Sequence, residues 1–158
     1  MPSFEIDYNG TSETIEFLDD LAWGDTQKIL KASVDISNPQ SININIQLYQ
    51  QMVLQAAITK APFDVKNLTT LNKLPSKVVN KIMSEVMKVF PLDIGTTMGD
   101  GYDRTGLNRV SDEIYVYCAL VFKWDQEQVD RQSTKYLKRI VVLSQERIND
   151  TLKSIFRG

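Results

Sequence analysis

The sequence predicts a mainly α-helical protein opened by a β-hairpin, a small α+β fold. Three observations predict it. Apolar and polar residues alternate on both sides of Asn9-Gly10. Apolar residues recur at helical spacing in several later stretches, and prolines and glycines fall between those stretches.

The hairpin comes first. Ser3-Phe-Glu-Ile-Asp-Tyr8 alternates, and Thr11 to Leu18 continues with Ile15 and Phe17 on one parity. Asn-Gly suits the turn because both central residues must accept positive φ. A two-stranded hairpin is marginal alone, so it must pack on helices or gain another strand. Leu21 and Trp23 are expected to supply part of that contact. Gly24-Asp25 then opens a short helix over about 26–33, with Asp25 as N-cap. Ser37-Asn38-Pro39-Gln40 is a turn. Ser41 to Ile46 alternates and reads equally as a strand or as the entry to the next helix.

From Ile46 to Lys60 the apolar residues Leu48, Tyr49, Met52, Val53, Ala56 and Ala57 keep helical spacing, and Pro62 closes the segment. A second helix runs from Pro75 or Ser76 to Phe90. Val78, Val79, Ile82, Met83, Val86 and Val89 or Phe90 form its inner face, with Pro75 in the first turn and Pro91 beyond the end. Met52, Met83 and Met87 suit core filling or an adaptable groove. Composition then shifts. Gly95, Gly99, Gly101 and Gly106 stand among Thr and Asp, which marks a linker. Ser111 to Trp124 reads as a helix with Ile114, Tyr115, Cys118, Val121 and Phe122 inward. Asp125 and Gln128 make a capping box for a short helix. Ser133 caps a final helix over about 134–156, with Leu137, Ile140, Val141, Ser144, Ile148, Leu152 and Ile155 as its apolar stripe. The expected organisation is a hairpin plus helical core over 1–92, a Gly-rich linker over 93–109 and a helical C-terminal segment over 110–158, the last able to pack on the core.

Composition narrows the function. The chain has 158 residues, 42% hydrophobic and 24% charged, an ordinary globular mixture. No apolar run approaches the roughly 20 residues of a membrane span, and Met1-Pro2-Ser3-Phe4-Glu5 lacks the features of a signal peptide. With one cysteine, Cys118, no internal disulfide forms, which fits a reducing compartment. Histidine is absent, which excludes Ser-His-Asp and Cys-His nucleophilic sites and His-containing zinc sites. Gly95 to Gly101 lacks the Lys and Ser or Thr of a phosphate loop. Asp100 and its neighbours fail the calcium-loop pattern, because Tyr102 and Arg104 occupy ligand positions. Glu13 with Glu16, and Asp19 with Asp20, are carboxylate pairs that nothing marks as buried. The sequence therefore predicts no enzyme, no metal and no cofactor.

Charge is uneven. Residues 1–25 carry seven acids and no Lys or Arg, while residues 131–158 carry seven Lys or Arg against Glu146 and Asp150. The two ends can attract each other within a chain or between copies. The basic helix raises nucleic-acid binding as an option, but a pI near 5.2 argues against it.

Three stretches together resemble the tail assembly chaperones of long-tailed phages and prophages. They are the hairpin leading into Trp23-Gly24 and a short helix, then the helix ending at Ala61-Pro62-Phe63-Asp64 with Leu71-Asn-Lys-Leu-Pro75 and its following helix, and finally Trp124-Asp125-x-x-x-Val129-Asp130 with Tyr136-Leu137 in a closing helix. The resemblance implies a non-catalytic protein of the host cytoplasm that coats the tape measure protein, recruits tail tube protein and leaves before the virion is complete. The acidic head and basic tail are compatible with this role and with self-association, since they can line copies up head to tail, and such heterologous contacts make open spirals. Trp124, Val129, Tyr136 and Leu137 are its candidate partner contacts. The alternatives are a small structural or baseplate-associated virion protein and a nucleic-acid-binding regulator.

Overall fold

A computed structural model gives the structure. It describes residues 1–38, 41–92 and 105–140. Much of the Gly-rich linker, two residues of the Ser37 to Gln40 turn and the final helix beyond residue 140 lie outside the described residues.

The fold is mainly α with an N-terminal antiparallel sheet. Strands β1 (Ser3–Tyr8) and β2 (Thr11–Phe17) form the expected hairpin, paired from Ser3↔Glu16 to Tyr8↔Thr11. Asn9 and Gly10 turn the chain with φ of 55° and 81°, the double positive φ of a type I′ turn. A third strand, β5 (Ile58–Lys60), joins β2 on its other side, giving the order β1-β2-β5.

Helix α1 (Trp23–Ser33) starts three residues before the expected position. Its N-cap is Ala22, without a side-chain bond, so Asp25 lies in the first turn, where its charge favours the helix dipole. Strands β3 (Val34–Asn38) and β4 (Ser41–Ile44) form a second hairpin. Asn45 follows at once as the cap of α2 (Ile46–Ala57), its side chain accepting from Leu48 N at 3.0 Å. The alternating stretch is thus a strand that runs directly into a helix. The expected helix to Lys60 stops at Ala57, because Ile58–Lys60 become β5 and pair with Glu16 and Phe17. A short α3 (Leu68–Asn72), capped by Asn67, precedes α4 (Ser76–Val89). Helix α4 matches its expected span and buries Val78, Ile82 and Val86.

Helix α5 (Thr105–Phe122) begins earlier than expected. Helix α6 (Gln126–Asp130) carries both reciprocal bonds of the capping box, and α7 is described over 134–140.

Two apolar clusters hold these elements. The larger joins Ile6, Ile15, Phe17 and Leu21 of the hairpin region to Ile29, Tyr49, Val53, Leu54, Val78, Ile82 and Val86. Met52, Met83 and Met87 pack at its margin. The smaller joins Trp23 to Ile114, Cys118, Val129 and Leu137. Leu21 does support the hairpin as expected. Trp23 does not, because it opens α1 and turns its ring into the C-terminal cluster. Among the described residues, no helix is long and apolar enough to cross a membrane.

Candidate partner-binding surface

The C-terminal segment sits on the first turn of α1. Trp23 N donates to Gln132 O at 2.8 Å, and Thr134 N donates to Leu21 O at 3.0 Å. These two bonds flank the antiparallel bridge Ala22↔Ser133. The hydroxyls of Thr26 and Thr134 lie 2.9 Å apart, within hydrogen-bond distance. Asp20 gathers the start of α7: its carboxylate accepts from Ser133 Oγ and from Lys135 N, and Lys135 Nζ donates to Asp19 O. The acidic end of the chain thus meets Lys135 of the basic end. Ser133 Oγ also accepts from Tyr136 N at 3.2 Å, which makes it the expected cap of α7.

Gly24 permits this approach. A Cβ there would lie 2.9 Å from Asp130 Cβ and 3.1 Å from Asp130 Cγ. Asp130 is in turn held by the hydroxyl of Tyr115, which donates to its carboxylate. Trp23 Nε1 is buried without a hydrogen-bond partner among the described residues, so its ring contributes through apolar packing alone.

The four candidate contact residues separate into two kinds. Val129 and Leu137 are fully buried in the smaller cluster, beneath the surface of the segment. Trp124 is half-buried, its ring 4.9 Å from that of Phe122. Tyr136 is 49% exposed, with Lys135, Lys138 and Arg139 exposed around it on α7.

Sequence reasoning missed the outer face of α5. Val116 and Leu120, one helical turn apart, are 57% and 67% exposed, and Val121, expected inward, is 53% exposed. Ile114 and Cys118 already fill the inner face. A helix that is apolar on both faces is usually covered on both, and an exposed apolar patch marks an interaction site. The signal was present in the sequence, since the run from Tyr115 to Phe122 holds no charged residue at all.

The carboxylate pairs have structural roles. Glu16 pairs with Lys60 at 2.9 Å, Glu13 accepts from Thr11 Oγ1 at 3.1 Å, and Asp20 caps Leu21 N at 2.9 Å. Among the described residues no group of three or more His, Cys, Asp or Glu is placed to hold a metal ion. Burial pushes the Cys118 thiol above its ordinary pKa, which keeps it protonated and weakly nucleophilic. A shallow groove between α1 and α2 has Ile29 and Met52 on its floor and Lys28 and Lys66 on its rim.

No family model, curated protein or solved structure matches the chain.

Proposed function

We propose that this protein is a non-catalytic assembly chaperone of phage tails, one that shields an apolar surface of the tape measure protein and recruits tail tube subunits through its C-terminal segment. The observation that carries the reading is the uncovered apolar face of α5, Val116, Leu120 and Val121, in a segment that also presents Tyr136 among Lys135, Lys138 and Arg139. A chaperone for a long helical client needs such a face, because the client's apolar stripe must be removed from water until assembly. The sequence resemblance supports the same role. Buried Val129 and Leu137 would hold the face in shape, while Tyr136 and Trp124 would reach the partner.

The test is co-expression with a tape measure protein, followed by pull-down and measurement of its soluble fraction. The native chain is expected to keep the client soluble and to co-purify with it. Val116→Glu with Leu120→Glu is expected to lose both effects while keeping the native circular dichroism spectrum, since both side chains are exposed. If the client stays insoluble with the native chain, the reading fails. Presence of the chain in purified virions would favour the structural-protein alternative. A steep loss of nucleic-acid binding with salt would favour the regulator.

A further inference from the structure

Among the described residues, the outer edge of β1 is open. Strand order β1-β2-β5 leaves β1 with a partner on one side only. The register says which backbone groups point outward. A two-residue turn makes Tyr8 and Thr11 a hydrogen-bonded pair, and antiparallel pairs then alternate. Ile6↔Glu13 and Phe4↔Ile15 are therefore bonded pairs, while Asp7↔Ser12, Glu5↔Thr14 and Ser3↔Glu16 are not. Ser3, Glu5 and Asp7 thus direct their N–H and C=O groups away from β2. Among the described residues these groups have no backbone partner, and all three residues are exposed. The side chains of Phe4, Ile6 and Tyr8 turn instead toward the larger apolar cluster under α4.

The charge of this edge selects among occupants. Glu5 and Asp7 occupy the solvent face of the sheet, where, among the described residues, Glu5 accepts from Ser12 Oγ alone, at 3.2 Å. The same face already shows how this sheet accommodates acids: Glu16 of β2 pairs with Lys60 of the neighbouring β5 at 2.9 Å. A second copy of β1 would bring Glu5 and Asp7 against Glu5 and Asp7, and like charges on adjacent strands are destabilising. A strand with Lys or Arg at alternate positions would satisfy both the open backbone and the unpaired acids.

From this geometry we infer that β1 is a docking edge for an extended, basic segment of a partner protein, which adds to the sheet as a fourth strand next to Glu5 and Asp7. Main-chain bonds from Ser3, Glu5 and Asp7 supply the affinity, and the two acids choose the sequence. The inference stands apart from the chaperone reading, since it uses none of the C-terminal residues.

Amide hydrogen exchange on the full chain tests it. The probe is a capped peptide alternating Lys and Val over about seven residues, with a Glu–Val peptide of the same length as its counterpart. The Lys peptide is expected to slow exchange at the Ser3, Glu5 and Asp7 amides by about tenfold or more and to leave α5 unchanged. Glu5→Lys with Asp7→Lys, two exposed substitutions, is expected to abolish that protection and to transfer it to the Glu peptide. If the three amides keep their exchange rates with the Lys peptide, the edge is only a charged guard against aggregation, and if both peptides slow them equally, the acids do not choose the partner; either result overturns the inference.

Discussion

Tyr136 and Leu137 are sequence neighbours, yet substitution should affect different properties. Leu137 is fully buried among Trp23, Cys118 and Val129, so Leu137→Ala leaves a cavity that the cluster can only partly close. The expected cost is about 2–5 kcal/mol, read as a lower urea midpoint. Tyr136 is half exposed, and Tyr136→Ala should stay within about 0.5 kcal/mol of the native stability. Its effect belongs in the pull-down, as weaker capture of the client. A stability loss at Tyr136 equal to that at Leu137 would remove Tyr136 from the binding surface. The sequence pointed to both residues but could not separate them, because helical spacing marks an apolar stripe without saying how far round the stripe is covered. Trp23 shows the same limit. Its position after the hairpin suggested contact with the hairpin, but Gly24 lets Asp130 approach, and that approach draws the indole to the C-terminal cluster. Gly24 read as the opening of a short helix, although its role is close packing against Asp130 inside that helix.

Elements were legible where local chemistry decided them. Asn9-Gly10 specified its turn, Asp125 and Gln128 specified the start of α6, and Pro75 with Pro91 bracketed α4. Strand β5 was illegible for a tertiary reason. Ile58-Thr59-Lys60 continues the helical pattern of α2, and only pairing with Glu16 and Phe17 of β2 makes it a strand. At the end of α5 the local preference is opposed outright. Lys123 stops the helix with φ of 60°, a left-handed conformation that a Cβ disfavours and that glycine commonly supplies after a helix. Lys123 is exposed, so its side chain gives up little on replacement. Lys123→Gly is therefore expected to stabilise the protein by roughly 0.5–1 kcal/mol, after the entropy that glycine adds to the unfolded chain is subtracted. Thermal or urea unfolding measures this. A destabilised variant would mean that the Lys123 stem covers apolar surface at the neighbouring Trp124, which a purely conformational account omits.

At the scale of the whole molecule, the two apolar clusters differ in size and are joined through a narrow seat. Among the described residues thirteen buried side chains make the first and five make the second, and α6 and α7 reach the hairpin region through residues 19–26. At about 1.5–3 kcal/mol for each buried apolar side chain, the smaller cluster has much less to set against the entropy of ordering its helices. It should open first, as a cooperative unit, while the sheet with α2 and α4 stays folded. The chain contains its own reporter for this. It has two tryptophans, and both Trp23 and Trp124 belong to the smaller cluster. Tryptophan fluorescence therefore follows the C-terminal cluster, while far-ultraviolet circular dichroism sums over all the helices. In a urea titration the fluorescence midpoint is expected below the circular dichroism midpoint, and Leu137→Ala should widen the gap by moving fluorescence more. Coincident curves, unchanged in their separation by Leu137→Ala, would mean that the hydrogen bonds around Ala22 and Ser133 couple the two clusters into one folding unit.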